Sequence, residues 1–183
     1  MARTRSEQSR QAILEAALTL ARREGYGKLT IDSLAAAAGV GKQTIYRWWK
    51  SLGAVVIEAL REHAKTIPAP ETGTLEGDLA AFLRATFRLQ RGDQGTAPLL
   101  KGLMAEAQLD AAFAPSFVEF TGARRTILRS ILLRHVSASR EVEVEAAVDM
   151  IFGAMWYRML IGHRPLDARF AQTMAELVGR QFA

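Results

Sequence analysis

The chain has 183 residues, of which 49% are hydrophobic and 23% are charged, and it contains no cysteine. This composition favours a folded protein with a sizeable core, and the lack of cysteine excludes disulfides and cysteine-ligated zinc. No run of about 18 uncharged apolar residues argues for a membrane span. Residues 1–10 are polar and basic and lack the apolar segment of a signal peptide, so we expect a cytoplasmic protein.

The formal net charge of +5 is concentrated near the N-terminus. Residues 1–50 contain nine lysines and arginines against four acids, whereas residues 51–183 contain 15 of each. Phosphate neutralisation by such residues supplies most of the non-specific affinity of proteins for DNA. A basic face can also be no more than a solvated face, so charge alone does not decide between the two interpretations.

The first 40 residues predict two helices. Apolar residues at helical spacing predict the first over residues 6–24, and Gly25 ends it. An i, i+3, i+4, i+7 apolar stripe predicts the second over residues 31–38. Gly39 follows, where a helix can end in the left-handed conformation that glycine adopts at low cost.

A third short helix is predicted directly after this turn. Gly41 is an acceptable N-cap, polar residues follow from Lys42, and Ile45 and Trp49 provide apolar anchors. Two helices joined by such a turn form a helix-turn-helix, whose second helix lies in the DNA major groove. The positive charge and this motif fall on the same segment, which strengthens the DNA-binding interpretation.

The remaining chain predicts six more helices and no sheet, over residues 55–65, 75–90, 99–109, 116–136, 142–161 and 168–179. Residues 141–145 alternate as a strand would, but they run into a helical pattern, and their acids suit the start of a helix. Prolines and a glycine within residues 67–73 predict a connector. We therefore predict an all-α protein: a helix-turn-helix domain over residues 1–52, a connecting helix and linker over 53–73, and a larger helical domain over 74–183.

The N-terminal pattern resembles the TetR family of bacterial transcriptional regulators. The resemblance is carried by Thr30-Ile31, Leu34-Ala35, Ala38-Gly39-Val40, Thr44-Ile45-Tyr46 and Trp49-Lys50-Ser51. It is closest over residues 9–60, and residues 159–167 (MLIGHRPLD) are similar to a stretch common in one subgroup. The resemblance implies a homodimer that binds an operator in double-stranded DNA and whose affinity changes when a small molecule binds the C-terminal domain. Residues 74–183 are accordingly the predicted ligand-binding and dimerisation domain.

Three positions depart from the family pattern. Gly41 stands where a serine or another polar residue is usual, Leu52 where a second lysine is common, and Trp48 where histidine or tyrosine is more usual. The first two departures bear on a capping bond and one phosphate contact. The third bears on base preference.

The predicted DNA-binding residues are Thr30, Lys42, Gln43, Thr44, Tyr46, Arg47, Trp48 and Lys50. Arg47 can contact guanine bidentately, or phosphate alone, and Gln43 can contact adenine. The tyrosine hydroxyl suits a phosphate oxygen, although a packing role is the alternative, and Trp48 fits either backbone packing or a surface position. Basic residues at positions 3 and 5 (Arg3 and Arg5) can form a minor-groove arm or a disordered tail.

Aromatic and methionine residues of the C-terminal half predict an apolar pocket for a hydrophobic or aromatic effector, with core packing as the alternative. The candidates are Phe82, Phe87, Met104, Phe117, Phe120, Met155 and Trp156. Small and apolar residues of the last two helices predict a symmetric dimer interface, unless they are used inside the monomer. These are Gly153, Ala154, Leu160, Phe170, Met174, Leu177 and Val178.

Catalysis has no support in the sequence, and neither a cofactor nor a metal is predicted. The segment Gly39–Lys42 suggests a phosphate-binding loop, but Ala36 and Gln43 stand where that motif needs glycine and Ser/Thr. The three histidines have no metal-binding spacing. The prediction is therefore a ligand-responsive repressor. The alternative is a basic helical interaction or scaffold protein without sequence-specific DNA binding, and the sequence does not separate repression from activation.

Overall fold

The structure is a computed structural model that describes residues 2–65, 69–92 and 95–183. Within these ranges it contains nine α-helices and no β-strand, which confirms the all-α prediction. Helices α1 to α9 span Ala2–Glu24, Ile31–Ala38, Lys42–Trp48, Leu52–Ala64, Leu75–Gln90, Ala97–Leu109, Ala114–Leu133, Glu141–Ile161 and Ala168–Phe182. None of the described helices is both long enough and apolar enough to cross a membrane.

Local capping interactions set the helix ends near the helix-turn-helix and at the end of α8. The Thr30 hydroxyl accepts a hydrogen bond from the Ser33 amide at 3.0 Å, and the Ser33 hydroxyl accepts one from the Thr30 amide at 3.1 Å. This capping box starts α2. Gly39 and Gly162 adopt left-handed φ values of 65° and 71° and end α2 and α8.

Several helix ends differ from the sequence prediction. Helix α4 begins at Leu52 rather than residue 55, and α7 spans Ala114–Leu133 rather than residues 116–136. Helix α1 begins at Ala2 rather than residue 6. Helix α6 begins at Ala97 rather than residue 99, because Pro98 in the first turn gives up no helical hydrogen bond. Helix α9 continues past Gly179 to Phe182. A Cβ added at Gly179 would overlap the Glu76 side chain, so this glycine permits a close approach of α9 to α5 rather than ending the helix.

The chain divides into two compact units, which we call the N-terminal and C-terminal units. The N-terminal unit comprises Met1–Lys65 and Thr96–Phe120, and the C-terminal unit comprises Thr66–Gly95 and Thr121–Ala183. This grouping places α6 and the start of α7 with the first four helices. The division into functional domains at residues 52 and 73 stays a prediction.

Helix α6 belongs to the N-terminal unit because it packs on the turn after α1. A Cβ at Gly102 would overlap the Tyr26 ring, so the two elements are in close contact. The Tyr26 hydroxyl donates a hydrogen bond to the Glu106 carboxylate. Burial, and then this bond, raises the pKa of Tyr26 well above its ordinary value. Tyr26 therefore stays neutral, and its hydroxyl donates the hydrogen bond that joins α6 to the turn between α1 and α2.

The C-terminal unit is built around α5 and α9, which pack along each other. Their contact buries Leu79 and Leu83 on α5, and Ala171, Ala175 and Val178 on α9. The alanines allow the two helices to approach closely. This packing buries one face of α9 and leaves its other face exposed.

A buried carboxylate joins the start of α5 to the end of α7. Asp78 is 1% exposed. One of its oxygens accepts hydrogen bonds from the Thr72 amide and hydroxyl, and the other accepts from Arg134 at 3.0 Å and is 2.9 Å from His135 Nε2. Burial alone would raise the pKa of Asp78, but these bonds hold it well below its ordinary value. The carboxylate is therefore ionised and fully partnered.

Candidate nucleic-acid interface and effector unit

Helices α2 and α3 are joined by a tight turn whose backbone is held by local hydrogen bonds. The Val40 amide donates to the Ala35 carbonyl at 3.0 Å, and the Thr44 amide donates to the Gly41 carbonyl at 2.9 Å. Gly41 starts α3 without a side-chain capping bond, as expected from the departure at this position. The predicted helix-turn-helix is present in the structure.

Two buried side chains hold α3 against the rest of the N-terminal unit. Ile45 is 0% exposed and Trp49, which the sequence assigns to the core, is 4% exposed. The Trp49 indole donates a hydrogen bond to Glu58 of α4 at 2.5 Å. Glu58 also pairs with Arg10 of α1. Helix α3 is thus tied to two helices at its C-terminal end.

The opposite face of α3 and the residue after Trp49 present polar and aromatic side chains to solvent. Those exposed are Lys42, Gln43, Tyr46, Arg47, Trp48 and Lys50, while Thr44 is half-buried. Tyr46 is 55% exposed, which does not suit the packing alternative for this residue. Trp48 is 42% exposed, so it is a surface aromatic in the free protein. Thr30 is exposed, but its hydroxyl already caps α2.

The basic residues of this surface differ in how they are paired. Lys42 pairs with Asp32, and the hydrogen bond to Asp32 raises the pKa of Lys42. In the described part of the chain no acid lies at ion-pair distance from Arg47 or Lys50. These two cations are therefore available to an anionic partner. Lys42 must instead give up its ion pair with Asp32 before it can bind such a partner.

The proposed minor-groove arm cannot be placed on this surface. Arg3 and Arg5 belong to α1, but their side chains lie outside the described residues. The arm stays a prediction.

Comparison with known families identifies both parts of the chain. Residues 13–59 match the family described as bacterial regulatory proteins, tetR family, and residues 69–178 match the tetracycline repressor-like C-terminal domain. The chain belongs to the TetR family. It is therefore a DNA-binding transcriptional regulator, and this family consists of regulators rather than enzymes.

Relatives and solved structures agree with this assignment. The HTH-type transcriptional regulator YdeS of Bacillus subtilis is 30% identical over 164 residues, which cover 87% of this chain and 82% of YdeS. The crystal structure of the TetR-family regulator SCO0332 is 30% identical with a TM-score of 0.73, covering 93% of this chain and 97% of that one. FadR of B. subtilis, solved with stearoyl-CoA, has the same fold, with a TM-score of 0.72, 21% identity and coverage of 92% and 97%.

The predicted effector residues of this TetR-family chain fall into both units. Phe82, Phe87 and Met155 are buried and Trp156 is half-buried in the C-terminal unit. The other three lie in the N-terminal unit: Phe117 and Phe120 are buried, and Met104 is half-buried. Apolar periodicity marks buried positions but does not show which of them border a cavity. The effector site stays a prediction.

Two open cavities lie in the C-terminal unit, and both contain arginines and the capping residue Asp167. One, of about 350 Å³, is lined by Arg84, Phe87, Arg88, Arg91, Gly92, Leu166, Asp167 and Ala168. The other, of about 530 Å³, is lined by Arg158, Arg164, Pro165, Asp167, Arg169, Phe170, Thr173, Met174 and Leu177. Of the predicted effector residues, only Phe87 lines either cavity.

Helices α8 and α9 expose an apolar surface of the C-terminal unit. From the predicted dimer set, Leu160 is 47% and Leu177 is 51% exposed, Gly153 is exposed, and Ala154, Phe170 and Met174 are half-buried. Val178 is only 3% exposed, because it packs inside its own unit against α5, so it does not belong to the surface.

Sequence reasoning did not assign three exposed apolar residues of α8 to the dimer surface. These are Met150, Tyr157 and Ile161, which together with Val142 are 54–81% exposed. They form a second apolar stripe, apart from the buried stripe that includes Val144 and Ile151. A helix that is apolar on two sides is normally covered on both. Apolar residues on two sides of α8 are therefore the sequence pattern that indicates a second covered face.

Proposed function

We propose that this TetR-family regulator is a homodimeric repressor that acts in the cytoplasm and binds a palindromic operator through α3. A small apolar effector bound in the C-terminal unit would release it from the DNA. The observation that carries the DNA-binding part is the exposed face of α3, where Arg47 and Lys50 have no acidic partner in the described chain. Repression is supported by the DNA-binding transcriptional repressor TetR of Mycobacteroides abscessus, which is 35% identical over 98 residues, 52% of this chain and 50% of that one.

The exposed residues of α3 can divide the work of recognition. Gln43 and Arg47, one turn apart on α3, have the chemistry for bidentate contacts to adenine and guanine. Lys50 follows the helix and can neutralise a phosphate. Phosphate contacts position the protein and base contacts specify the sequence, so substitutions at these positions are expected to have different consequences.

Dimerisation is supported by the exposed stripe on α8. Val142 is 81% and Tyr157 is 60% exposed, and Leu177 of α9 is also exposed. A contiguous apolar surface of this kind marks an interaction site, and an isologous pairing of two copies would cover it. Two recognition helices in successive major grooves require half-sites about one helical turn, roughly 34–36 Å, apart or a related spacing.

An apolar effector is supported by the aromatic content of the C-terminal unit. Phe82 and Phe87 are buried there, and Phe87 stacks on Phe170 with a centroid distance of 5.6 Å. The FadR structure of the same fold was solved with stearoyl-CoA, which carries a long apolar chain. Screening hydrophobic and aromatic compounds for release of operator DNA tests this part, and failure of a broad panel would count against it.

Variants of α3 test the DNA-binding roles. We expect Arg47→Ala or Gln43→Ala to reduce discrimination at one base pair by about 1–3 kcal/mol, while affinity for other sequences changes less. Lys50→Ala should weaken binding to all sequences and lower the salt dependence by about one ion. Competition binding with single-base operator variants at two salt concentrations measures both effects. Arg23→Ala, which removes an exposed arginine already paired with Glu24, is the charge control. Equal losses on every sequence for all three substitutions would contradict the assigned roles.

A charge placed on the α8 stripe tests the dimer. Leu160→Glu should convert the dimer to monomers and reduce operator affinity, because two carboxylates would face each other across an isologous interface. Leu109→Glu is the matched control, since Leu109 is 88% exposed on α6 and outside this stripe. Sedimentation velocity measures the mass of each variant. A dimer that persists in Leu160→Glu would place the interface elsewhere.

A further inference from the structure

Arg124 of α7 differs from the neighbouring arginines of the same helix. Arg125 is 3.1 Å from Glu145 and also pairs with Asp149, and Arg129 is 2.7 Å from Glu145. Both are about one-third exposed. Across the described ranges, no acid lies at ion-pair distance from Arg124. Helix α8 therefore supplies counter-charges to the more accessible arginines of α7 and not to Arg124.

The position of Arg124 belongs to the buried face of α7. Leu128 and Ile131 follow it at i+4 and i+7, and both are 0% exposed. The same helical spacing calls for an apolar residue at position 124. Arg124 Nη2 has less than 1 Å² of accessible surface and no hydrogen-bond partner. Burial lowers the pKa of Arg124, because removal from water penalises the charged form.

The aromatic ring beside Arg124 attracts its positive charge but accepts no conventional hydrogen bond from its N–H groups. The guanidinium carbon lies 5.2 Å from the centroid of Phe82, which is 1% exposed. The face of an aromatic ring attracts a cation. The N–H donors lie in the guanidinium plane, however, and need acceptor atoms beside the group rather than below it. A buried donor left without an acceptor is costly, and a bound molecule is one way of supplying the acceptor.

We propose that Arg124, which Phe82 helps to orient, recognises an effector that combines an oxyanion, such as a carboxylate, with an apolar body. This inference rests on the proposed ligand-responsive function and adds the chemical class of the ligand. The planar guanidinium presents a pair of donors that matches a carboxylate. The Phe82 ring, which is 1% exposed, packs beside the guanidinium and helps to fix its orientation. A neutral alcohol of the same shape can accept a hydrogen bond from Arg124, but it cannot form the charge-assisted, bidentate pair that a carboxylate forms, so the site discriminates by charge.

Matched pairs of compounds test this discrimination. Decanoate is compared with 1-decanol, and 4-phenylbutyrate with 4-phenylbutanol, in equilibrium titrations of the full-length protein and in release of operator DNA. We expect the anion of at least one pair to bind about tenfold or more tightly than its alcohol, which corresponds to about 1.4 kcal/mol. Equal binding of anion and alcohol in both pairs would overturn the inference, as would failure of all four compounds to bind.

Substitutions test whether the preference for the anion over the alcohol depends on Arg124. Arg124→Met and Arg124→Gln should abolish the preference for the anion, and the melting temperature of ligand-free Arg124→Met should be unchanged or higher, since an unpaired buried charge is removed. A merely structural arginine would give a lower melting temperature. Arg125→Met, one residue away and ion-paired, is the control and should keep the preference. An anion preference that survives in Arg124→Met would contradict the proposal.

The same preparation separates this inference from the proposed function. Selective operator binding tests the regulator itself and needs no effector. Release of the operator by alcohols and anions alike would leave the ligand-responsive repressor intact and reject only the role of Arg124. Selective release by the anions, lost in Arg124→Met and retained in Arg125→Met, supports both.

Discussion

Asp78 provides a quantitative test of what holds the C-terminal unit together. In Asp78→Asn the amide oxygen can still accept the two bonds from Thr72, at 2.5 and 2.8 Å in the native protein. The amide nitrogen would then face Arg134 and His135, so that donors meet donors and two charge-assisted contacts are lost. Each such bond contributes about 1.5–3 kcal/mol when buried.

The expected loss is smaller than the sum of these two contributions. Side-chain exposures of 32% for Arg134 and 23% for His135 allow water to replace part of what is lost. We therefore expect Asp78→Asn to reduce the free energy of unfolding by about 3 kcal/mol, within the range for breaking a buried ion pair. Out of a typical total of about 5–15 kcal/mol, this is a large fraction.

Urea unfolding followed by circular dichroism at pH 7 measures this difference, with an unchanged m-value as the check on the comparison. Asp149→Asn is the matched control, because Asp149 also pairs with an arginine of α7 but is 68% exposed. Exposed pairs contribute about 0–1 kcal/mol. Losses that agree within 1 kcal/mol for the two variants would refute the role assigned to Asp78.

The lowered pKa of Asp78 also predicts how the difference in unfolding free energy between wild type and Asp78→Asn depends on pH. A carboxylate with a lowered folded-state pKa stabilises the protein above its unfolded-state pKa, about 3.9. The contribution is lost as the pH falls through the folded-state value. The gap between wild type and Asp78→Asn should therefore be the same at about pH 7 and pH 5 and should narrow only below about pH 4. A gap that disappears by pH 5 would show that Asp78 is not ionised as described.

Three glycine substitutions give further expected outcomes. Gly102→Ala should lower stability by about 1–3 kcal/mol, because the new methyl overlaps the Tyr26 ring. Gly122→Ala, on α7 with open space around it, should instead stabilise by about 0.5–1 kcal/mol. Gly39→Ala should cost about 1–2 kcal/mol and reduce operator affinity, since φ is 65° there. Thermal or urea unfolding measures all three, and a stabilising Gly102→Ala or a neutral Gly39→Ala would contradict the packing and the turn described.

The sequence predicts helix boundaries well where a local interaction sets them. Gly39 ends α2 and Thr30 starts it, and both depend only on residues a few positions away. The reading of residues 141–145 as the start of a helix is also confirmed, since α8 begins at Glu141. These features follow from backbone geometry and capping, which the local sequence contains.

Features that depend on distant parts of the chain were not accessible in this way. Gly179 reads as a helix end, but its lack of a side chain serves the contact with Glu76, 103 positions away in the sequence. The grouping of α6 with the N-terminal unit depends on Gly102 meeting Tyr26. Nothing in the local pattern around either glycine indicates its partner.

The residues of the candidate site also differ in how well the sequence alone predicts their role. The exposed face of α3 follows from a short helix with buried anchors at Ile45 and Trp49, so spacing alone was enough to place it. The predicted effector residues are apolar groups at helical spacing, which is equally the pattern of a core. Arg124 is not among them, although a charge within a buried stripe is a visible signal once the helix face is known.

The measurement that tests the central claim most directly is binding of the purified protein to the DNA upstream of its own gene. Random DNA of equal length is the comparison, at two salt concentrations, with the number of protomers per site determined. The account predicts a tight, saturable and sequence-selective complex with two protomers per site or a multiple of two. Weak binding that is equal on both DNAs and vanishes with added salt would contradict it and favour a basic helical protein without sequence-specific recognition.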